Sequence, residues 1–326
     1  MRQQQTTTVA ICIPTLKRPL ELETLLTRLG RLDLDDRIDM QVFVVDNDPA
    51  RSADQVIERH KLLSELKLTA DHEPVPGYVD VRNRLNSLVP ADIDWIASID
   101  DDDIPASTDW LVRLVEVAEQ CDADMVCGPK LPAPGAGIGE SMLERGTVRH
   151  HEAVTGAPMR YGWTGNILIR RSILGPDPFD SRFAQTGGED TELTMRLVRS
   201  GHRLVYAPDA AVTALKSSEQ LTVDRTAAIL RDGSASLAMA YRINYGRLPI
   251  NRIVRSTLRW TESTIDRNIS AALGRSERST RARLRQAGAE GMLATGLFNR
   301  PMARRIALDE AAPLSGDLAD SLTADR

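Results

Sequence analysis

Short apolar runs alternate with helical patterns along the first two thirds of the chain. Runs of strand length occupy residues 9–13, 42–45, 95–99, 125–127, 166–169, 204–206 and 211–213. Apolar residues recur at the three- and four-residue intervals of a helix over residues 19–32, 52–60, 79–88, 110–118, 190–199 and 223–241. This alternation predicts an α/β fold with a mostly parallel central sheet and helices on both faces. Ligands bind such sheets at the carboxyl ends of the strands.

The last part of the chain follows a single helical pattern. Apolar residues recur near helical spacing from Ile250 to Leu273, and Arg252, Arg255 and Arg259 lie between them. This spacing predicts an amphipathic basic helix. Two interpretations stay open. The helix either packs on the rest of the protein with its arginines in water, or it docks on an anionic membrane surface.

The distribution of charge divides the chain. Residues 242–305 carry fourteen arginines against four acidic residues, whereas the whole chain has a net charge of −5. We therefore predict an α/β domain over residues 1–241 and a helical basic extension over residues 242–326, which ends in a frayed acidic tail. Residues 130–158 are rich in glycine and proline and show no sustained apolar period, which predicts a long mobile loop.

Composition limits the classes of function. The chain of 326 residues is 42% hydrophobic and 27% charged, enough for one large core and an appendage. The acidic balance gives no footprint for nucleic acid. Cys12, Cys121 and Cys127 lack metal-site or redox spacing, which indicates buried residues in a reducing compartment. Because no stretch reaches the roughly 18 apolar residues of a membrane span, we expect a cytoplasmic protein.

Four consecutive aspartates, Asp100, Asp101, Asp102 and Asp103, follow the apolar run at 95–99. Adjacent carboxylates repel one another unless a partner neutralises them, and a divalent cation is a natural partner. Mg²⁺ and Mn²⁺ prefer hard oxygen ligands and complete their shells with substrate phosphates and water. The alternative is an acidic loop that caps the following helix. The position at a strand end favours the metal site.

Two further acidic positions are candidates for chemistry. Asp46 ends another apolar run, where it can accept hydrogen bonds from a ribose or a base, although the sequence Asp-Asn-Asp-Pro is also typical of a turn. Asp190 follows Gly187, Gly188 and Glu189 at the start of a predicted helix. Paired glycines permit a tight turn beside a ligand, and the acid is either a general base or a residue that stabilises the helix N-terminus.

The order of these motifs resembles that of the family 2 glycosyltransferases, in particular the bacterial cell-surface polysaccharide enzymes, over roughly residues 9–241. The matching segments are residues 13–19, 44–47, 77 with 81–83, 99–103 with 105 and 110–111, 165–166 with 170–171, and 187–190. The ordered set is much more specific than any one motif. The resemblance implies a GT-A fold and transfer of a sugar from a nucleotide-diphosphate sugar, with UDP expected as the nucleotide, to a hydroxyl acceptor with inversion.

The resemblance also implies roles for individual residues. Thr15 and Arg18 would flank the nucleotide, Asp46 would bind the base and Arg82 would lie near the diphosphate. Asp100 and Asp102 match the aspartates of the metal motif, with Asp102 as the direct ligand of Mn²⁺ or Mg²⁺ and with Asp100 and Asp101 beside the donor. Asp190 matches the catalytic base.

The chain departs from parts of the family's pattern. The Gln-x-x-Arg-Trp motif of processive members is absent, which favours the transfer of one sugar per encounter. Residues 213–216 offer no histidine as an additional metal ligand. The resemblance implies a hydroxyl acceptor, a class that includes lipid-linked glycans. Peripheral contact of the C-terminal helices with the inner membrane face is one of the two interpretations that stay open for the basic helix.

Two other functions compete with the glycosyltransferase interpretation. A nucleotidyltransferase would carry a glycine-rich turn after the first strand, where this chain has Pro14 to Arg18. A catalytically silent homologue would bind the nucleotide as a scaffold of polysaccharide assembly, and the presence of Asp102 and Asp190 argues against that function.

Overall fold

The computed structural model describes residues 6–132, 154–184, 186–215 and 222–298. Its strands are β1 (Thr7–Thr15), β2 (Ile38–Asp46), β3 (Leu68–His72), β4 (Trp95–Ile99), β5 (Asp103–Pro105), β6 (Met125–Cys127), β7 (Lys130–Pro132), β8 (Asn166–Arg170), β9 (Leu204–Tyr206) and β10 (Val212–Ala214). Its helices are α1 (Pro19–Leu29), α2 (Asp54–Leu63), α3 (Tyr78–Leu88), α4 (Trp110–Gln120), α5 (Glu189–Arg199), α6 (Val223–Tyr245), α7 (Ile250–Ala272) and α8 (Ser276–Phe298).

Seven strands form the main sheet in the order β3-β2-β1-β4-β8-β6-β9. Neighbouring strands of this sheet pair in parallel, except that β8 runs antiparallel to both β4 and β6. A smaller sheet has the order β5-β10-β7. The predicted α/β architecture with a mostly parallel sheet is confirmed.

Alternation of side chains along β1 explains why helices cover both faces of the sheet. Val9, Ile11 and Ile13 pack into the cluster that holds the apolar face of α1 and α4. Ala10 and Cys12 point to the opposite face, where they pack with the apolar residues of α3. Since a strand buried on both faces needs apolar residues throughout, β1 reads as a continuous apolar run.

The strand order creates a crevice at the carboxyl end of β1. The chain moves from β1 outward to β2 and β3 and then returns to place β4 on the other side of β1. Loops that leave neighbouring strands in opposite directions open a crevice at such a switch point. Thr15 and Asp46 pair in register at the ends of β1 and β2, and β4 ends directly before the aspartates.

A long mobile loop was predicted for residues 130–158, and this prediction was wrong for the first residues of that range. Lys130 is buried in β7, which pairs with β10 in the smaller sheet. A three-residue strand that contains a lysine and a proline has no apolar pattern to identify it, and its position depends on distant partners. Residues 133–153 of the predicted loop lie outside the described residues. The edge strand β3 was also missed because it is short and partly polar.

The C-terminal part of the described chain is an assembly of three helices. Helices α6 and α7 both pack on α8, and α6 also contacts α5. Gly291 permits the close approach of α6 and α8, because a Cβ there would lie 1.9 Å from the carbonyl oxygen of Arg231. Helix α6 continues through position 241 to Tyr245, so the division at 241 falls inside a helix and stays a prediction. The predicted acidic tail lies outside the described residues.

The length and hydropathy of a helix decide whether it can cross a membrane. Within the described ranges, every helix is too short or too polar to cross a bilayer.

Candidate active site

The four aspartates after β4 lie at the crevice, and three of them are buried. Asp103 is fully buried at the start of β5, and Asp101 and Asp102 are nearly so. Burial of a carboxylate costs several kcal/mol or more unless a cation or hydrogen-bond donors compensate. Basic and polar side chains from three other segments supply that compensation.

Asp101 joins the β1–α1 loop to the cluster. Its carboxylate accepts hydrogen bonds from Thr15 Oγ1 at 2.8 Å and from Arg18 at 2.9 Å. Arg18 also lies 3.2 Å from Asp102. Burial raises the pKa of Asp101 to about 6, helped by the charge of Asp102 and opposed by Arg18. The sequence placed Asp101 beside the donor, and the structure shows that it anchors the loop that carries Thr15 and Arg18.

Lys130 was not predicted as a site residue, and it lies between two aspartates. Its Nζ is 3.0 Å from Asp100 and 2.5 Å from Asp103. Burial opposes the ionisation of Asp100, but Lys130 and Arg82 hold its pKa below the ordinary value. Burial raises the pKa of Asp103 well above its ordinary value despite Lys130.

Arg82 connects the aspartates to the start of α5. Its guanidinium lies 3.2 Å from Asp100 and 3.3 Å from Glu189, and its Nε donates to Thr164 Oγ1 at 3.1 Å. Glu189 directly precedes Asp190, so one arginine fixes the cluster relative to the predicted base. Sequence reasoning identified Arg82 but missed Glu189 and Thr164, because only the folded chain brings them together.

The start of α5 is built on two glycines with left-handed backbone. Gly187 and Gly188 have φ of 69° and 100°, where a side chain would be strained. A Cβ on Gly188 would also lie 2.4 Å from the Cβ of Ser236 in α6. Ser236 Oγ donates to the carbonyl oxygen of Gly187 at 2.9 Å. The half-buried Asp190 therefore follows a turn that α6 holds in place.

Asp46 is engaged by its own loop. Its two carboxylate oxygens accept the backbone N–H groups of Asp48 at 2.9 Å and Ala53 at 3.0 Å, and it is 1% exposed. Burial raises its pKa, although the two backbone donors lower it. This geometry is that of the turn which the Asp-Asn-Asp-Pro sequence also predicts. The role of Asp46 in binding a base stays a prediction.

Asp100, Asp102 and Asp103 meet the chemical requirements of a divalent-cation site. One carboxylate oxygen from each lies within 4.8 Å of the others. Asp103 Oδ1 is buried and receives no hydrogen bond from any described residue. All donors are hard oxygens, which suit Mg²⁺ and Mn²⁺. The set includes Asp102, whose role as a metal ligand stays a prediction, and Asp103, which was not predicted as a ligand.

The charges of the side chains around the aspartates also favour a divalent cation at this site. Four aspartates and Glu189 face three basic side chains, those of Arg18, Arg82 and Lys130. The acidic side chains outnumber the basic ones, a balance that favours a bound cation. The absence of a side chain at Gly165 leaves room for the paired Asp100 and Lys130. A Cβ at that position would lie 2.5 Å from Asp100 Oδ2 and 2.9 Å from Lys130 Nζ.

Trp163 lies in the core. It is buried among the apolar residues of β6, β8 and α5, and its Nε1 donates to the carbonyl oxygen of Gly128 at 3.1 Å. An indole so enclosed packs the domain.

Comparisons with known proteins agree with this architecture. Residues 10–175 match the Glycosyl transferase family 2 model. Succinoglycan biosynthesis protein ExoM of Rhizobium meliloti (strain 1021) is 29% identical over 211 residues, which cover 64% of this chain and 67% of that protein. The segment that matches the family model, residues 10–175, contains the crevice, Arg82 and the four aspartates.

Two solved structures share the fold. The mannosyltransferase PcManGT from Pyrobaculum calidifontis, in complex with GDP-Man and Mn²⁺, superposes with a TM-score of 0.58 at 15% identity over 90% of this chain and 88% of that chain. S. aureus TarS 1–349, in complex with UDP-GlcNAc, gives 0.53 at 15% identity over 88% of this chain and 91% of that chain. At such identities the likeness shows the fold, which is the GT-A fold. Since the family match covers just over half of the chain, the chain belongs to glycosyltransferase family 2.

Proposed function

We propose that the protein moves one sugar from a nucleotide-diphosphate sugar to a hydroxyl acceptor, with inversion, in the synthesis of a bacterial polysaccharide or glycoconjugate. The observation that carries the proposal is the convergence of Asp100, Asp102 and Asp103 within 4.8 Å, beside the guanidinium groups of Arg18 and Arg82. Carboxylates that bind a cation and arginines that bind phosphates are the two needs of a diphosphate donor.

The crevice residues bind and orient the donor. Thr15 and Arg18 flank the nucleotide, Asp46 holds the base edge and Arg82 lies along the diphosphate. Asp102, with Asp100 and Asp103 beside it, would hold Mg²⁺ or Mn²⁺, which supplies charge stabilisation for the departing nucleoside diphosphate. Lys130 and Arg82 hold Asp100 ionised and in position.

Asp190 acts as the general base. It is half-buried at the first turn of α5, and its Oδ1 accepts the backbone N–H of Thr191 at 2.6 Å. An ionised carboxylate there accepts the proton of the acceptor hydroxyl as that oxygen attacks the anomeric carbon. Attack on the face opposite the leaving group inverts the configuration. Without the processive motif, the acceptor leaves after a single transfer.

The donor and acceptor are proposed at the level of chemical class. TarS and PcManGT were solved with UDP-GlcNAc and GDP-Man respectively, and we propose UDP as the nucleotide here. The acceptor is a hydroxyl of a growing glycan, carried on a lipid at the inner membrane face.

A nucleotide panel tests the proposal. We expect UDP to raise the melting temperature of the protein when Mn²⁺ or Mg²⁺ is present, and GDP, ADP and CDP to do so less. Asp102→Ala should abolish the metal-dependent part of the shift. Asp36→Ala is the matched control, because Asp36 is exposed and outside the site.

Turnover separates the competing functions. Release of nucleoside diphosphate from a sugar donor supports the transferase, and binding without release identifies a silent scaffold. Release of pyrophosphate from a nucleoside triphosphate would identify a nucleotidyltransferase.

A further inference from the structure

A cavity of about 670 Å³, half open to solvent, lies among helices α6, α7 and α8. Five arginines line it, and its described lining includes no acidic residue. They are Arg160, Arg252, Arg255, Arg259 and Arg285. The volume is that of a small-molecule site. None of these residues belongs to the aspartate cluster or to the crevice at the end of β1.

Three of the five arginines lack an anionic partner. Arg160, Arg255 and Arg259 are exposed and form no ion pair with any residue that the structure describes. Arg252 lies over the ring of Tyr241 at 4.6 Å, and Arg285 pairs with Asp266 at 2.9 Å. A cleft lined by charges of one sign attracts the opposite charge into it. The planar guanidinium matches the geometry of phosphate oxygens.

We propose that this cavity binds a phosphate-bearing anion, and that it is a second ligand site separate from the donor site. Phosphate and diphosphate groups accept several charge-assisted hydrogen bonds at once, which a ring of arginines can donate. The cavity also presents the apolar side chains of Leu230, Leu284 and Met292. A ligand with an apolar portion beside its phosphate therefore fits the lining better than a bare inorganic ion.

The exposed face of α7 indicates the source of such a ligand. Six apolar side chains of this region are half or more exposed and follow helical spacing; they are Ile250, Val254, Leu258, Ile265, Ile269 and Leu273. The residues of α7 that are buried are Ser263 and Ser270. This arrangement is the reverse of an ordinary surface helix, and an apolar stripe beside arginines is typical of a helix that lies in a membrane interface. The phosphate of a lipid is thus the favoured source.

The first experiment measures anion binding by the full chain. Inorganic pyrophosphate is titrated by calorimetry in the presence of EDTA, because a metal-dependent donor site then contributes little. The double variant Arg255→Glu/Arg259→Glu should bind at least about tenfold more weakly. Arg247→Glu/Arg275→Glu is the matched control, since both residues are exposed, unpaired among the described residues and outside the cavity. This control should keep the affinity of the original chain.

A second experiment distinguishes the sources. Flotation with vesicles of phosphatidylcholine, with or without phosphatidylglycerol, measures binding to lipid phosphate. Anionic vesicles should retain the original chain and the control, and should lose the Arg255→Glu/Arg259→Glu variant. Leu258→Glu, on the exposed stripe, should lose vesicles yet still bind pyrophosphate. Retention of both stripe and cavity variants on vesicles, with pyrophosphate binding still dependent on the cavity, would support a soluble ligand.

One result would contradict the proposed second ligand site. If the two charge-reversed pairs bind pyrophosphate and vesicles equally well or equally poorly, general charge accounts for any binding and the site does not exist. Because the experiments use EDTA and do not require turnover, they are independent of the proposed transferase function.

Discussion

The ammonium group of Lys130 lies 2.5 Å from the carboxylate of Asp103, which is fully buried. Lys130 comes from β7 and Asp103 from β5, on the two sides of β10 in the smaller sheet. The pair therefore fixes the aspartate cluster to that sheet. It also places a positive charge of the protein beside two of the three aspartates that could hold a metal ion.

Lys130→Met should destabilise the protein by up to roughly 3–5 kcal/mol, because the buried Asp103 loses its cationic partner and either stays as an unpaired charge or, since burial raises its pKa, takes up a proton. Urea unfolding in EDTA measures the loss. Added Mn²⁺ should restore more stability to this variant than to the original chain, since a cation then replaces the missing ammonium group.

The double variant Lys130→Met/Asp103→Asn is the control for that experiment. Removing the charge of Asp103 should recover much of the lost stability in EDTA and should weaken the rescue by Mn²⁺. Equal destabilisation of the single and double variants would show that lost packing of the lysine stem, rather than unpaired charge, is the cause.

Gly165→Ala should disrupt the cluster without changing any of its side chains. The added methyl would meet Asp100 and Lys130 at 2.5 and 2.9 Å, so these groups must shift, at a cost of about 1–3 kcal/mol. We expect metal-dependent nucleotide binding to weaken by about tenfold or more. Calorimetric titration with UDP and Mn²⁺ measures the change.

Gly175→Ala is the control for the glycine prediction, because no atom lies within 4 Å of a Cβ at that position. It should leave nucleotide binding unchanged. If Gly165→Ala also binds normally, the cluster is more compliant than its close contacts indicate.

Asp190→Asn should lower kcat by about 10²–10⁴-fold, the range for loss of a general base. The amide keeps the shape of the side chain, so the affinity for the donor nucleotide and the metal should change little. Asp177→Asn, an exposed aspartate on the preceding loop, is the matched control. A normal kcat in Asp190→Asn would show that another residue is the base.

The sequence predicted most of the fold because much of it is encoded locally. A buried parallel strand such as β4 is a continuous apolar run, and the run at 95–99 gave its bounds without error. The short polar strands β3 and β7 carry no such signal, since pairing with distant strands decides their conformation.

Sequence analysis named Asp102, Arg18 and Arg82 as candidate site residues, and it did not name Lys130, Thr164 or Glu189. Consecutive carboxylates are conspicuous in a sequence, so Asp102 stood out. Lys130 and Thr164 are ordinary residues until the fold brings them to Asp100 and Arg82. Asp46 shows a different difficulty, because each carboxylate oxygen of this motif residue already accepts a backbone N–H of its own loop.

Ser236 of α6 contacts the turn that precedes the predicted base. Its Cβ would lie 2.4 Å from a Cβ at Gly188, and its hydroxyl donates to Gly187. Ser236→Leu should push this turn and displace Asp190, which lowers kcat while metal-dependent UDP binding is retained. Misplacement by about 1 Å can reduce a rate by about 10²-fold.

Ser236→Ala is the conservative partner of that substitution. It removes one hydrogen bond, worth about 1 kcal/mol of stability, and adds no bulk against the turn. We therefore expect kcat close to that of the original chain, with a small fall in melting temperature. A parallel loss of kcat and UDP affinity in Ser236→Leu would mean that the substitution disturbs the whole domain, and a normal kcat would show that α6 does not position the turn before α5.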